Sequence, residues 1–192
     1  MISQRLFAPL LLLAGWALAG SASAAMDRNQ YRGEMERAQG SYRAAWNGCK
    51  PLKGNAKDVC QAEARGAYAV AKAELAARLK TTPKNADKVK TLRAETALRV
   101  DTEKCDELSG NARAVCRKEA KASFVGARSE VRVDRAAVEQ GVNSRALTSE
   151  RKETRADTSQ AQFTAAKERC DALSGAAKST CLGDARKKYG KL

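Results

Sequence analysis

The chain has 192 residues, a net charge of +14 and no histidine. The absence of histidine excludes enzyme classes that depend on it as the acid and base near neutral pH. After residue 24 the chain has no Ile, and Leu, Val and Phe together supply about 13 per cent of the residues. Chains below roughly 20 per cent with a high net charge lean towards disorder, which argues against a single deep apolar core.

The first 24 residues are typical of a secretory signal peptide. Arg5 gives a positive start, residues 6–18 form a short apolar run, and Ala22-Ser23-Ala24 offers a small-residue cleavage site. The run is shorter than the about 20 residues of a transmembrane helix, and retention as an N-terminal anchor is the alternative. Ser21 stands where a lipoprotein processing site needs cysteine, which argues against lipidation. We therefore expect a periplasmic protein without a transmembrane segment after cleavage, and with a net charge of about +13, since residues 1–24 carry one cation.

The six cysteines belong to an internal repeat. The three copies read Cys49-KPLKGNAKDV-Cys60, Cys105-DELSGNARAV-Cys116 and Cys170-DALSGAAKST-Cys181. Each copy also has an aromatic residue or Leu seven positions before its first cysteine, and an aromatic residue eight positions after its second: Tyr42 and Tyr68, Leu98 and Phe124, Phe163 and Tyr189. Matches at so many fixed offsets indicate a true repeat. In an exported chain with a poor core, an even number of cysteines indicates a disulfide framework.

Geometry selects the pairing. In one unbroken helix, residues 11 apart lie about 16.5 Å from each other, whereas a disulfide needs Cα atoms within about 7 Å. A bond inside each pair therefore requires the chain to reverse between its two cysteines. We predict three helical hairpins with the bonds Cys49–Cys60, Cys105–Cys116 and Cys170–Cys181. Free buried thiols are the alternative, and a metal site is disfavoured because close cysteine pairs and histidine are both absent.

The Leu-x-Gly step predicts how each hairpin turns. Glycine can take the left-handed conformation that ends a helix, and Asn55 or Asn111 can cap the next one. Leucine is expected to fill the elbow of the turn. The predicted turn residues are Leu52 and Gly54, Leu108 and Gly110, Leu173 and Gly175.

The segments between the cysteine motifs are rich in Ala, Glu, Lys and Arg, which predicts helices with supporting pairs such as Glu74–Arg78. Thr81-Thr82-Pro83 should stop one helix, and Asn85 or Asp87 should start the next. The fold class is all-α, with long helices joining the hairpins in an extended or loosely packed bundle of coiled-coil character. The hairpin units are expected over residues 25–80, 84–140 and 161–192, with a polar connector, either solvated helix or flexible chain, over 141–160.

The run GNAKDVCQAEARGAYAVAKAELAAR (54–78) and its two echoes resemble a family of uncharacterised exported proteins of Gram-negative proteobacteria. Its members repeat Cys-x2-Leu-x-Gly-Asn-Ala-Lys-x2-Cys hairpins and are sometimes labelled as similar to the cell-envelope protein TolA. The third copy departs from this motif, with Ala176 in place of Asn and Ser179-Thr180 before Cys181. A fainter likeness is to PsiF-type proteins. The resemblance implies a periplasmic location and does not imply any particular activity.

A non-enzymatic structural or interaction role in the cell envelope is therefore the leading functional hypothesis, with no cofactor and no metal. Cationic helices would contact anionic envelope components: lipopolysaccharide, anionic lipid or acidic proteins. Nucleic acid is disfavoured, since few aromatic residues could stack on bases. The densest basic groups are Arg117, Lys118 and Lys121, and Arg186, Lys187 and Lys188. The alternatives are cations that only maintain solubility, and a periplasmic stress accessory of the holdase type.

Overall fold

The computed structural model describes residues 26–190, which contain six helices and no strand. The helices are α1 (Arg28–Gly48), α2 (Gly54–Leu79), α3 (Pro83–Cys105), α4 (Gly110–Gln140), α5 (Arg145–Cys170) and α6 (Gly175–Tyr189). The predicted all-α fold is confirmed. The signal peptide predicted over residues 1–24 lies outside the described residues.

Local capping explains where several helices begin. Asp27 forms a capping box with Gln30 at the start of α1. Thr82 caps α3 by accepting the Asn85 N–H at 3.2 Å, and Pro83 is the first residue of that helix. The prediction that Asn85 or Asp87 starts α3 was therefore wrong, because proline is well tolerated at a first helical position, where its missing N–H costs nothing.

The six helices form a single row. Each helix packs on the helix before it and the helix after it, and within residues 26–190 no other pair of helices is in contact. The row is therefore open, with α1 and α6 at its two edges, and corresponds to the extended form of the predicted arrangement.

All three disulfide-linked turns lie on the same side of the row, at one end of the helices, because successive helices alternate in direction. Lys104 at the end of α3 pairs with Glu63 near the start of α2 at 3.2 Å. Asn111 at the start of α4 donates to the carbonyl of Glu168 near the end of α5 at 3.3 Å. These contacts link the first turn to the second and the second to the third. We call this the stapled end.

Small side chains and disulfides replace a conventional core. Half of the buried apolar residues are alanines, and the largest fully buried side chains are Leu147 and the first cysteine of each pair. Gly66 lets α2 approach α3 closely: a Cβ at this position would lie 2.1 Å from Cγ2 of Thr96. Between α4 and α5, Thr158 and Ser129 share a hydrogen bond of 3.2 Å. Close backbone approach and short polar contacts thus hold neighbouring helices together.

Ion pairs join α2 to α3, α3 to α4 and α4 to α5. Arg93 of α3 contacts Glu74 of α2 at 2.6 Å, so Glu74 is engaged between helices, and the predicted Glu74–Arg78 pair is not formed. The pairs Lys90–Asp134, Arg135–Asp87 and Arg169–Glu119 link the later helices in the same way. Isolated exposed pairs contribute little, but here they recur along every seam between the hairpins.

The segment 141–160, for which both helix and flexible chain were left open, is mostly helical. Residues 141–144 form the turn between α4 and α5, with Gly141 at φ +83° and Ser144 capping α5. Residues 145–160 form the first part of α5 and pack along α4. Leu147 and Thr154 are buried there, which explains why this polar stretch is held in a defined helix.

Candidate functional site

The predicted disulfides are confirmed. Bonds join Cys49 to Cys60, Cys105 to Cys116 and Cys170 to Cys181, with Cα–Cα distances of 5.7, 5.6 and 5.7 Å. The three turns are therefore built alike, and equivalent offsets from the cysteines identify equivalent places in the three hairpins.

The turn residues differ in detail from the sequence prediction. Gly54, Gly110 and Gly175 all have φ +54°, the left-handed conformation expected of them. Each, however, is the first residue of the second helix, because the first helix has already ended at or before its cysteine, five residues earlier. Asn55 and Asn111 consequently lie inside helices and do not cap them, so that part of the prediction was wrong.

The three turn leucines do not fill the elbows as predicted. Leu52, Leu108 and Leu173 are 38, 40 and 43% exposed, and their N–H groups bond to the carbonyl of the first cysteine at 3.0–3.2 Å. The first cysteine of each pair is fully buried, whereas the leucine side chain stays partly exposed. The stapled end therefore presents three partly exposed leucines.

A cation and an aromatic residue recur on one face of each second helix. Five positions after the second cysteine lie Arg65, Lys121 and Arg186, all exposed, and eight positions after it lie Tyr68, Phe124 and Tyr189, all half-buried. Residues three apart share a helix face. The sequence repeat predicted the aromatic position. Lys121 and Arg186 were predicted only as members of basic groups, and the recurrence of a cation at this offset was missed, although the same repeat alignment contains it.

The cations contact the aromatic rings. Arg65 lies 4.8 Å from the centre of the Trp46 ring, and Lys72 lies 4.6 Å from that of Tyr68. In the second hairpin, Lys121 and Arg128 lie 4.8 and 5.7 Å from the centre of the Phe124 ring. Such contacts are worth about 0.5–1 kcal/mol at exposed sites, and they hold the long cationic side chains in defined positions.

Two grooves between consecutive hairpins are built from equivalent positions. The first groove lies between α2 and α3, and the second groove lies between α4 and α5. In both, two lining residues stand five and nine positions after the second cysteine of the preceding hairpin. Four more stand 13, 10, nine and six positions before the first cysteine of the following hairpin. The first groove is thus lined by Arg65, Ala69, Leu92, Glu95, Thr96 and Arg99, and the second by Lys121, Val125, Asp157, Gln160, Ala161 and Thr164. Equivalent grooves show that the recurring cations of α2 and α4 face the same side of the row. We call this side the basic face.

The two grooves differ in size for a local reason. The first encloses about 110 Å³ and the second about 390 Å³. Gly66 and Thr96 bring α2 and α3 together and close the first groove. The equivalent residues at the second seam are Ala122 and Ala161, and the groove there has the larger volume.

The second groove is also the more cationic. Lys118 joins Lys121 in its lining, three positions earlier on the same helix face. Among residues 26–190, no carboxylate oxygen lies within 4 Å of either ammonium group. The carboxylate in the lining, Asp157, is engaged by Arg132 at 2.8 Å. The predicted basic group at Arg117, Lys118 and Lys121 is therefore brought to this groove, with Arg117 turned towards Asp106.

Arg132 organises the carboxylates beside the second groove. Its guanidinium contacts Glu150 at 2.6 Å, Asp157 at 2.8 Å and Glu153 at 3.3 Å. Burial lowers the pKa of Arg132, but Glu150 and the hydrogen bond to Asp157 outweigh it, so the pKa is raised overall and the group stays charged. Asp157, the carboxylate in the lining of the second groove, is consequently held by this arginine, while Lys118 and Lys121 have no carboxylate partner among the described residues.

A larger cavity of about 460 Å³ lies between α4 and α5 on the opposite side of the row. It is lined by Glu130 and Asp134 as well as by Arg151 and Arg155, so its charges balance. Within the described residues, no group of three or more Cys, Asp or Glu could hold a metal ion. Across residues 26–190, every helix is too short or too polar to span a bilayer.

No protein family model, curated protein or solved structure matches this chain.

Proposed function

We propose that this chain is a non-enzymatic protein of the periplasm and cell envelope, whose basic face binds anionic envelope components. The observation that carries the proposal is the recurrence of an exposed cation five residues after each second cysteine, at Arg65, Lys121 and Arg186. Within the described residues none of the three has a carboxylate within 4 Å. Solubility alone does not require an exposed cation at the same position of all three hairpins, in contact with an aromatic ring in two of them.

The disulfides support an exported protein. Three bonds within one chain indicate an oxidising compartment outside the cytoplasm. The signal peptide predicted over residues 1–24 agrees with this, and the assignment to the periplasm and envelope is part of the proposal. In that compartment a protein with a basic face meets lipopolysaccharide, anionic lipids and acidic proteins, all of which it would attract over about a Debye length.

Vesicle binding tests the proposal. The disulfide-bonded protein is mixed with vesicles containing phosphatidylglycerol or lipopolysaccharide, and sedimented at low and at high salt. The triple variant Arg65→Gln, Lys121→Gln, Arg186→Gln is compared with Arg151→Gln, Lys152→Gln, Arg155→Gln, which removes the same charge from exposed positions of α5. We expect salt-sensitive binding that the first variant weakens at least tenfold and the second hardly changes. Equal weakening by both variants would show that binding depends on the overall charge of the protein and not on the basic face.

The stapled end supports a second candidate, a holdase-type accessory. Leu52, Leu108 and Leu173 present three partly exposed apolar side chains at the stapled end. The cations nearby would attract acidic unfolded clients. The test is suppression of the aggregation of an acidic client protein. Loss of suppression in Leu52→Ser, Leu108→Ser, Leu173→Ser, with retention in the basic-face triple variant, would favour this role over the first.

A further inference from the structure

We propose that the second groove is a binding site for a phosphomonoester carried on a small organic body. This inference rests on the proposed function, since it names the chemistry that one part of the basic face recognises. It concerns the groove between α4 and α5 that Lys118, Lys121, Val125, Gln160, Ala161 and Thr164 line.

The charge of the groove favours a dianion. Lys118 and Lys121 lie three residues apart and line the same groove, and the carboxylate of Asp157 is already held by Arg132. Two ammonium groups match the charge of about −1.5 to −2 that a phosphomonoester carries near neutral pH. A carboxylate or a phosphodiester carries a single charge and would leave one lysine unmatched.

The remaining lining suits an organic body with hydroxyl groups. The Thr164 hydroxyl donates to the carbonyl of Gln160 at 2.9 Å, so its lone pairs remain free to accept a hydrogen bond from a ligand. The amide of Gln160 offers both a donor and an acceptor. Val125 and Ala161 add an apolar floor. With a volume of about 390 Å³, the groove falls in the range of small-molecule sites, roughly 300–1,000 Å³.

Lys121 contacts an aromatic ring in the absence of a ligand. Its ammonium group lies 4.8 Å from the centre of the Phe124 ring, and Arg128 approaches the same ring at 5.7 Å. A side chain that is already ordered loses less conformational entropy when it binds. The cation five positions after the second cysteine contacts an aromatic ring in the first two hairpins, and in the second groove it also lies where an anion would bind.

The first groove shows what would abolish such a site. At the equivalent positions it has Glu95 in place of Gln160 and Thr96 in place of Ala161, and it is about 110 Å³ in volume. Its carboxylate would repel a phosphate, and its closed walls would exclude the organic body. The residues of the first groove therefore indicate which substitutions should close the second groove without disturbing the fold.

The experiment is a calorimetric titration of the disulfide-bonded protein with glucose 6-phosphate, with glucose and inorganic phosphate as reference probes. Three variants alter the groove: Lys118→Gln with Lys121→Gln, Gln160→Glu, and Ala161→Leu, which fills the floor with a good helix former. The matched control is Lys50→Gln with Lys53→Gln, two exposed lysines three residues apart in the first turn. Circular dichroism confirms that each variant folds.

We expect glucose 6-phosphate to bind, glucose not to bind, and each groove variant to weaken binding at least tenfold, while the control changes it less than threefold. A second arm uses vesicles containing phosphatidic acid, whose head group is a phosphomonoester, against vesicles containing phosphatidylglycerol, a diester. Sensitivity of phosphatidic acid binding to Ala161→Leu would identify a lipid source, and binding of the sugar phosphate alone a soluble one.

The inference is overturned if neither glucose 6-phosphate nor phosphatidic acid binds. It is also overturned if Ala161→Leu leaves binding as intact as the control variant does. The proposed function can fail separately. Vesicle binding that depends on the basic face but not on the groove variants would retain the proposed function and remove the phosphomonoester site. Groove-dependent binding of glucose 6-phosphate without any binding to anionic vesicles would do the reverse.

Discussion

Gly66 of α2 lies so close to Thr96 of α3 that a Cβ at position 66 would come within 2.1 Å of the Thr96 Cγ2 atom. This contact draws two hairpins together and narrows the first groove. Between α4 and α5 the equivalent positions are Ala122 and Ala161, and the glycine at that seam, Gly126, is less crowded: its Cβ would meet Thr158 at 3.9 Å, an ordinary distance. The two seams between hairpins are thus packed differently on a common plan.

Gly66→Ala should lower the free energy of unfolding by about 1–3 kcal/mol, because the added methyl group forces the two helices apart. Gly126→Ala is the matched control and should be neutral or stabilising by up to about 1 kcal/mol, as alanine favours the helix. Urea denaturation followed by circular dichroism measures both. Adding Thr96→Ala to the first variant should recover most of the loss, and absence of recovery would show that the contact is not the cause.

Gly110→Ala should destabilise the second hairpin by about 1–2 kcal/mol, since an L-residue at φ +54° is strained. The control is Gly183→Ala in α6, where a Cβ would meet nothing within 4 Å and helix propensity should add stability. The same denaturation measurement applies. Equal effects of the two substitutions would contradict a role for the left-handed turn.

Removing one staple should unfold its hairpin locally. In the chain-entropy model, Cys170→Ser with Cys181→Ser costs about 3 kcal/mol, and α6 packs only on α5. Hydrogen exchange should show lost protection in residues 175–189, with α2 and α3 unaffected. Peptide mapping without reductant verifies the remaining bonds, and a uniform loss of protection along the chain would contradict independent staples.

Arg132→Gln should destabilise the α4–α5 seam by about 1 kcal/mol, more at low salt than at high salt, because it leaves Glu150, Glu153 and Asp157 facing each other without a cation. Arg128→Gln removes an exposed cation from the same helix that has no carboxylate within 4 Å among the described residues and should cost less. Denaturation at two salt concentrations measures the difference, and a salt-independent loss would argue for packing alone.

Asp171 gives a prediction about pH. The hydrogen bond from Lys178 at 2.9 Å, followed by the charge of that lysine, lowers the pKa of Asp171. A lowered pKa in the folded state means that the pair contributes stability above the unfolded pKa of about 3.9 and loses it as the pH falls through the folded value. NMR titration of the carboxyl carbon should show the low pKa, and Lys178→Gln should raise it. An unchanged titration in the variant would assign the shift elsewhere.

The disulfides and the all-α class were predictable because the repeat fixes both: residues 11 apart can be bridged only where the chain reverses. The leucines were placed wrongly because a leucine beside a turn usually packs inward, whereas here the fully buried side chain is the first cysteine of each pair. The cation of the second groove could have been predicted from the sequence, since Arg65 and Lys121 both lie five positions after the second cysteine of their hairpins. The larger volume of the second groove was not predictable, because a repeat in the sequence does not give the spacing between two helices.

The open row also bears on the length of the protein. Each helix depends only on its immediate neighbours in the chain, as in other linear repeat architectures. A gene duplication that inserted one more hairpin beside α4 would break a single seam and create two of the same type, with no closing interface to rebuild. The number of hairpins is therefore free to change in evolution, and each added copy would carry its own staple, its own cation–aromatic pair and one more groove with independent lining.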